Sequence, residues 1–212
     1  MLFKRKPTRR KVFCVGRNKT GTTTLFDALQ GLGYRMGDQL TAEKMLFDYA
    51  RRDFRQLIEY CKGADAFQDI PFSLPYTFMA MDQAFPDSRF ILTVRDSAEQ
   101  WYESMMRFQG KVHSGEARLP TVDELKASTR VFPGFAYHTK KIIFNTPDDD
   151  LYNRETLIRH YHFHNDMVQD YFRTTPGKLL VINVADSDAY TRLCDFLGEK
   201  PAGDGFAWLN KT

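Results

Sequence analysis

Short apolar segments alternate with longer amphipathic ones along this chain of 212 residues. The short segments are apolar throughout, which is typical of strands buried on both faces, and they predict strands over 11–16, 64–69, 88–96 and 178–184. Apolar positions at helical spacing predict helices over 22–33, 42–61, 76–85, 97–108, 151–174 and 187–198. Because strands and helices alternate, we expect an α/β fold of three layers, α/β/α, with a central parallel sheet covered on both faces.

Residues 109–150 interrupt this alternation with an irregular mixture of glycine, proline, aromatic and charged residues. A stretch of this length is too long for an ordinary loop, so we predict a lid or a substrate segment. From residue 107 onwards the chain carries the cations Arg107, Lys111, His113, Arg118, Lys126, Arg130, Lys140 and Lys141 and the aromatic residues Phe132, Phe135, Tyr137 and Phe144. This composition fits either a pocket for an aromatic or anionic acceptor or a solvated lid with a few packing aromatics.

Composition and charge narrow the class of protein. A formal charge of +3 and 42% hydrophobic residues suit a globular protein with one local anion site and do not suggest nucleic-acid binding. We expect a single domain over 11–212 and a basic, frayed leader over 1–10; attraction of the leader to an anionic membrane surface or a polyanion is the alternative. No membrane span or secretory signal is apparent, and three widely spaced cysteines suggest reduced structural thiols, so we expect a cytoplasmic protein.

The most informative segment is VFCVGRNKTGTTTL, residues 12–25. A strand runs into Gly16, and Gly21 then opens a helix, as in a phosphate-binding P-loop. A P-loop for nucleoside triphosphates places Lys and then Ser or Thr after the second glycine, but here Thr22 and Thr23 follow it and Lys19 lies inside the loop. The free N–H groups of the helix, the hydroxyls and the ammonium predict an anion site. A strand–helix turn with a threonine cap and no ligand is the alternative.

The strand over 88–96 ends in Arg95 and Asp96 and lacks the context of a magnesium-binding aspartate. Ligands of parallel sheets bind at the carboxyl ends of the strands, and a guanidinium there suits direct binding of a phosphate. His160 and His164 are one helical turn apart, but no carboxylate partner accompanies them in the sequence. We therefore predict a phosphate site that requires no metal.

These segments together resemble the sulfotransferases that use 3′-phosphoadenosine-5′-phosphosulfate (PAPS). The family loop typically reads Pro-Lys-Ser-Gly-Thr-Thr, and NKTGTT at 18–23 is similar to it. The second family motif is a strand followed by Arg, with a Ser on the next helix, and TVRDSAEQWYES at 93–104 is similar to it. YHFHNDMVQDYF at 161–172 resembles a segment of a small-sulfotransferase branch. The resemblance covers about residues 11–210 and implies a sheet with P-loop-kinase-like topology.

The resemblance implies that PAPS is the sulfuryl donor and 3′,5′-ADP (PAP) the product. The implied donor-binding residues are Arg17, Asn18, Lys19, Thr20, Gly21, Thr22, Thr23, Thr24, Arg95 and Ser104. The threonine region would hold the 5′-phosphosulfate, and Arg95 with Ser104 the 3′-phosphate. Arg17 is expected to be a solvated loop residue, with a 3′-phosphate contact as the alternative. Better-known members have the serine eight residues after the arginine, where this chain has Glu103; Ser104 is one residue further, a rotation of about 100° on a helix.

By the same resemblance, Lys19 neutralises the leaving oxygen of the donor, and Asp69 takes the place of the histidine that serves many relatives as general base. Asp69 as a simple cap of the turn before Pro71 is the alternative. His164 and Asn165 are expected to form a structural or pocket pair. The acceptor is expected to be a hydroxyl or amine of a small molecule, lipid or saccharide.

Two other functions stay open from the sequence. One is a Mg²⁺-dependent kinase of a small metabolite with a degenerate loop, and the other is a non-catalytic nucleotide-binding protein. Intact Lys19 and Arg95 argue against the non-catalytic protein, whereas the displaced Ser104 argues for it. The relative binding of ATP and of a 3′-phosphorylated nucleotide separates the kinase from the sulfotransferase.

Overall fold

The computed structural model of the chain describes residues 9–115 and 118–206. Its centre is a sheet of four parallel strands in the order β2-β1-β3-β4. The strands are β1 Val12–Cys14, β2 Ala66–Phe67, β3 Arg89–Thr93 and β4 Leu179–Ile182. Each strand lies within a segment that the hydrophobic pattern predicts to be a strand, so the parallel sheet is confirmed.

Helices cover both faces of this sheet. In the described ranges they are α1 Thr22–Gly31, α2 Gln39–Glu43, α3 Leu46–Ala50, α4 Arg55–Cys61, α5 Thr77–Ala84, α6 Ala98–Gln109, α7 Val122–Ala127, α8 Phe135–Phe144, α9 Arg154–Phe172 and α10 Ala189–Leu197. A turn of π-helix, Gly110–Ser114, continues α6, and a 3₁₀ turn, Asp148–Asp150, precedes α9. Helices α1 and α10 pack on one face of the sheet, and α4, α5 and α9 pack on the other.

Alternate side chains of β1 enter two different cores. Val12 and Cys14 pack with α1 and α10, whereas Phe13 packs with the helices of the other face. The ring of Phe13 lies 5.4 Å from that of Phe67 on β2 and 5.5 Å from that of Phe90 on β3. Because successive side chains of a strand point to opposite faces, a strand that is apolar at every position is buried on both. The three-layer α/β/α architecture follows.

The inner position of β1 determines where its loop lies. The strand pairs with β2 on one side and with β3 on the other, and a parallel bridge between Met36 and Ala66 extends the sheet beyond β2. The loop that follows β1 therefore emerges between two neighbouring strand ends, at the carboxyl edge where parallel sheets bind ligands.

The single helix predicted over 42–61 is wrong, because the chain forms the three short helices α2 to α4 there. Arg52 follows the end of α3 and has a left-handed backbone conformation, with φ of 59°. Asp53 then accepts hydrogen bonds from N and Nε of Arg55 at 3.2 and 2.9 Å, at the start of α4. Each short helix still buries apolar side chains. The apolar residues therefore keep helical spacing across the breaks, which is why the pattern predicted one helix.

The segment 109–150 is more regular than predicted, because it contains α7 and α8. A capping box begins α7: Thr121 Oγ1 accepts from Glu124 N at 3.3 Å, and the Glu124 carboxylate accepts from Thr121 N at 2.7 Å. The Thr-Val-Asp-Glu sequence is a signature of this cap, which the prediction overlooked.

Arg9 joins the start of the described chain to the domain. Its guanidinium lies 3.2 Å from the Glu199 carboxylate and 4.4 Å from the centroid of the Tyr34 ring. The rest of the predicted frayed leader, residues 1–8, lies outside the described residues.

The three cysteines Cys14, Cys61 and Cys194 are buried and unpaired. Burial raises the pKa of each thiol, so they stay protonated. Within the described ranges, no helix combines the length and the apolar character needed to cross a bilayer.

Gly16 is the residue at which β1, the loop and β3 approach most closely. A Cβ added there would lie 2.1 Å from Oγ1 and 2.6 Å from the backbone N of Thr93. We predict that Gly16→Ala lowers the free energy of unfolding by about 1–3 kcal/mol or more, measured by chemical denaturation. Gly31→Ala, where nothing lies within 4 Å of the added Cβ, is the control and should be neutral or stabilising by up to about 1 kcal/mol. Equal stabilities of the two variants would contradict this account.

Candidate active site

The loop between β1 and α1 is held from inside the protein. Lys19 and Gly21 have left-handed φ values of 74° and 101°. The hydroxyl of the fully buried Thr20 donates to Arg17 O at 2.5 Å and lies 2.6 Å from Oγ1 of Thr93. Thr20 thus ties the loop to β3, and its hydroxyl is engaged within the protein.

Arg95 and Trp101 hold two carbonyl groups of the loop. Arg95 Nε donates to Lys19 O at 2.8 Å, and Trp101 Nε1 donates to Asn18 O at 2.9 Å. Tyr161 in turn accepts a hydrogen bond from the backbone N of Arg95 at 3.0 Å. The Nη atoms of Arg95 bond no described residue, so the outer part of the guanidinium is available to an anion.

Helix α1 begins at the loop without a side-chain cap, and its first turn carries no acidic residue. The threonine cap considered as the alternative is therefore not formed. The first N–H groups and the positive end of the helix dipole favour an anion at this position.

A cavity of about 280 Å³ opens beside the loop, a volume near the lower end of small-molecule pockets. Six of the residues predicted for the site line it: Arg17, Asn18, Lys19, Thr22, Thr23 and Asp69. The remaining predicted residues, Thr20, Gly21, Thr24, Arg95 and Ser104, are not in its lining. Further walls come from α6 and from the 109–150 segment, chiefly α8. A shallower concavity between α6 and α9 is lined mostly by exposed charged side chains away from the loop.

Lys19 places a cation at this cavity. Its Nζ lies 4.2 Å from the centroid of the Phe108 ring and forms no ion pair with any described residue. Burial lowers the pKa of Lys19, and the charge of Asp69 partly opposes that shift. Because an aromatic face only partly balances an ammonium, the charge remains available for an anion.

Asp69 places a half-buried carboxylate in the same cavity. Its backbone is left-handed, with φ of 60°, and its Oδ1 accepts a hydrogen bond from Asn18 Nδ2. Burial raises the pKa of Asp69 to about 6, and the nearby Glu43 acts in the same direction, while Arg130, Lys19 and Asn18 oppose the shift. The carboxylate caps no turn among the described residues, so the turn-cap alternative is not formed.

The loop, the sheet and the cavity agree with a match to a family of known proteins. A family model described as a sulfotransferase domain matches residues 11–212. The chain belongs to this sulfotransferase-domain family. Membership supports a transferase enzyme with sulfotransfer as its general chemistry, and the resemblance drawn from the motifs is confirmed. No curated protein matches the chain closely enough to count as a relative.

In this sulfotransferase domain Arg17 is buried, so its prediction as a solvated loop residue is wrong. Arg17 is only 3% exposed, and its Nη1 donates to Ser73 O at 3.1 Å. The guanidinium carbon lies 5.5 Å from the centroid of the Phe144 ring, and Nε has no hydrogen-bond partner among the described residues. Burial lowers the pKa of Arg17 to about 10. Arg17 therefore remains a cation at neutral pH.

Ser104, and not Glu103, faces the interior of the sulfotransferase domain. Ser104 is 4% exposed and shares its face of α6 with the buried Trp101 and Met105. Glu103 is exposed, and its Oε2 lies 3.9 Å from Nη1 of Arg107. The residue that the helix turns inward is thus the displaced serine.

His164 supports the strand that leads into the loop. Its Nε2 donates to Val15 O at 2.7 Å, and its Nδ1 is buried without a hydrogen-bond partner among the described residues. Burial, and secondarily the charge of Arg17, lower the pKa of His164 to about 3, so the ring is neutral. His164 does not line the cavity. In the described part of the chain, no group of three or more His, Cys, Asp and Glu side chains could hold a metal ion.

Glu43 is a cavity residue that sequence reasoning missed. Glu43 is only 3% exposed. Its Oε1 accepts a hydrogen bond from Gln39 Nε2 at 3.3 Å, and its Oε2 lies 3.8 Å from Nη2 of Arg130. Burial raises the pKa of Glu43. Nothing in the sequence distinguishes it from the exposed charges around it, because its burial depends on residues far along the chain, such as Arg130.

Lys140 is the second residue whose position the sequence did not indicate. It is 6% exposed, and its Nζ lies 4.4 Å from the centroid of the Tyr152 ring with no hydrogen bond or ion pair to any described residue. Burial alone lowers the pKa of Lys140 to about 7. The adjacent Lys141 is different: its Nζ donates to Thr146 O at 2.5 Å and lies 3.2 Å from Asp148.

The buried Lys140 should make stability depend on pH. Its ordinary pKa of 10.5 applies to the unfolded chain and a value of about 7 to the folded one, so the unfolded state binds more protons between these values and stability rises with pH there. Lys140→Met removes the burial penalty, which is largest at and below about pH 7. We predict a melting temperature at least about 3 °C above wild type at that pH, with the difference shrinking toward about pH 10. Lys141→Met should give no such gain, and a lower melting temperature for Lys140→Met at neutral pH would refute the account.

Proposed function

We propose that the protein transfers a sulfuryl group from PAPS to a hydroxyl or amine of a small-molecule, lipid or saccharide acceptor. The observation that carries this proposal is that Lys19 and Asp69 line one cavity beside the uncapped start of α1. A cation for the leaving group and a base for the acceptor then line the same cavity. We also propose a cytoplasmic location, which the three unpaired cysteines support.

The residues around α1 suit the two charged ends of PAPS. The uncapped helix start, with the cavity-lining Thr22 and Thr23, suits the 5′-phosphosulfate. The free Nη atoms of Arg95 suit the 3′-phosphate, because guanidinium–phosphate hydrogen bonds are charge-assisted. The inward-facing Ser104 would complete that second site.

The proposed reaction needs positioning, charge stabilisation and one proton transfer. PAPS supplies a sulfuryl group on a phosphate leaving group. The acceptor oxygen or nitrogen forms a bond to sulfur, the bond from sulfur to the phosphate oxygen breaks, and Asp69 takes the acceptor's proton. Lys19 holds the negative charge that develops on the departing phosphate of 3′,5′-ADP. The transfer requires no metal ion, because the loop itself carries the cation.

Asn18 orients the proposed base. Its Oδ1 accepts from Ser73 Oγ at 3.2 Å, which directs its Nδ2 to Asp69 Oδ1. The other oxygen of Asp69 bonds no described residue and is free to meet the acceptor. With a pKa near 6, the carboxylate is ionised at neutral pH and is a stronger base than an ordinary aspartate.

The donor assignment predicts a preference that calorimetry can measure. Because Arg95 and Ser104 would bind the 3′-phosphate, 3′,5′-ADP should bind at least about tenfold tighter than 5′-AMP, roughly 1.4 kcal/mol. Ser104→Ala should weaken binding of 3′,5′-ADP and leave binding of 5′-AMP unchanged. The control is Glu103→Ala, a change at the exposed neighbouring residue, which should leave the affinity for both nucleotides unchanged. A chelator should not alter the titrations. Equal affinities for the two nucleotides, or tighter binding of ATP with Mg²⁺, would favour the kinase.

The mechanism predicts different effects at Lys19 and Asp69. Lys19→Ala should lower turnover by about 10²–10³-fold and weaken 3′,5′-ADP binding much less, because the interaction strengthens in the transition state. Asp69→Asn should lower turnover by about 10²-fold or more with nucleotide affinity near wild type. Turnover is followed as 3′,5′-ADP formed from PAPS with a panel of phenols, alcohols and amines. Lys111→Ala, which removes an exposed neighbouring lysine, controls for the loss of charge.

The pH profile separates a base from a positioning residue. The active form of Asp69 is the ionised one, so kcat/KM of the wild type should fall as pH drops through about 6. The residual activity of Asp69→Asn should lack this acidic limb. An unchanged limb in that variant would remove Asp69 as the base.

A further inference from the structure

Lys140 lines the cavity apart from the charged groups near the loop. Its ammonium contacts Tyr152 and has no hydrogen bond or ion pair with any described residue. Glu43 and Lys19 both act on the pKa of Asp69, whereas no charged group acts on that of Lys140. The cavity therefore has a densely charged part, at Asp69, and also contains Lys140, whose charge no described group balances.

Apolar side chains supply much of the remaining wall. They are Ile70, Met105, Phe108, Phe135, Ile143 and Phe144. Such a surface suits an apolar, ring-sized body, which gains free energy by leaving water and by contact with aromatic faces. The volume of about 280 Å³ limits the occupant to a small molecule or to one end of a larger one.

We propose that the acceptor carries an anionic group, such as a carboxylate, that binds Lys140 while the acceptor's hydroxyl or amine reaches Asp69. This inference rests on the proposed function, because it places the acceptor in the same cavity. The acceptor class is then an apolar, ring-sized body with an oxyanion at one end and a nucleophile at the other.

The physical reason is the cost of an unpaired buried charge. Removing an ammonium from water without a counter-ion is unfavourable, so the free protein holds Lys140 partly as the neutral amine. An anion that enters with the ligand supplies the missing partner, and the low dielectric of the cavity strengthens their interaction. A neutral analogue of the same shape leaves the cation unpaired, and an amine at that position adds a second positive charge.

The test uses para-substituted phenols, in which each acid is compared with the amide of the same chain length. The probes are para-hydroxyphenylacetate and para-hydroxyphenylpropionate, the isosteric amide of each, and tyramine. Calorimetry on the wild type, with and without 3′,5′-ADP, should show each acid binding at least about fivefold tighter than its amide. At about pH 8 most Lys140 is neutral before binding, so the acids should take up close to one proton, seen as different enthalpies in HEPES and Tris buffers.

Two lysine variants with the same change in net charge locate the effect. Lys140→Met, with Lys140→Gln as a second neutral variant, should lose both the preference for the acids and the proton uptake. Lys141→Met, on the same helix but already bound to Asp148 and Thr146, should keep both. Thermal melts of each variant check that the fold is retained.

Several results would overturn the inference. They are equal affinities for acid and amide in the wild type, a preference for tyramine, no binding of any probe up to roughly 10 mM, or an acid preference that survives in the Lys140 variants. Loss of the preference in Lys141→Met would indicate general surface electrostatics and would also overturn it. The proposed function fails separately: if 3′,5′-ADP does not bind but the acid preference depends on Lys140, the anion site stands without the sulfotransferase assignment.

Discussion

The close packing of Gly16 against Thr93 sets the position of the loop between β1 and α1 in this sulfotransferase domain. Parallel pairing of β1 with β3 brings the two strand ends together, and only a residue without a side chain fits between them. The Thr20 hydroxyl forms a hydrogen bond with the Thr93 hydroxyl. Arg95, which follows Thr93 by two residues, donates a hydrogen bond to Lys19 O. One strand end thus holds the loop at two points. The start of α1 is presented at the sheet edge as a consequence of this support, and the cavity forms beside it.

The position of the lysine suits the proposed sulfuryl transfer. A lysine after the second glycine works with a hydroxyl and Mg²⁺ on a nucleoside triphosphate. Lys19 instead lies within the loop, in a left-handed conformation, with its Nζ against Phe108 at the cavity. In the proposed reaction the loop itself brings the cation to the leaving group, so the metal's role in neutralising charge passes to a side chain.

Desolvation in one cavity acts on carboxylates and amines in opposite directions. It raises the pKa of Asp69 toward neutrality and lowers that of Lys140, because it disfavours the charged form of either group. Charges close to Asp69, including Lys19 and Arg130, moderate the shift there. No charge moderates the shift at Lys140. The same physical effect thus yields a proposed base at one place and, at another, an amine that titrates near neutral pH.

The sequence by itself determined the parts of this protein that depend on local pattern. The strands of the sheet, the glycine loop with Lys19 and the arginine at the end of β3 could be predicted, because periodicity, glycine placement and strand ends are properties of neighbouring residues. Even the shifted serine was visible as a departure from the family motif. The burial of Arg17, Glu43 and Lys140, and the inward face of Ser104, were decided only by the tertiary structure. The identity of a charged residue does not reveal whether it is exposed or buried. Its burial depends on whether segments far along the chain pack over it and exclude water. Here those segments are α8 and the helices after α1.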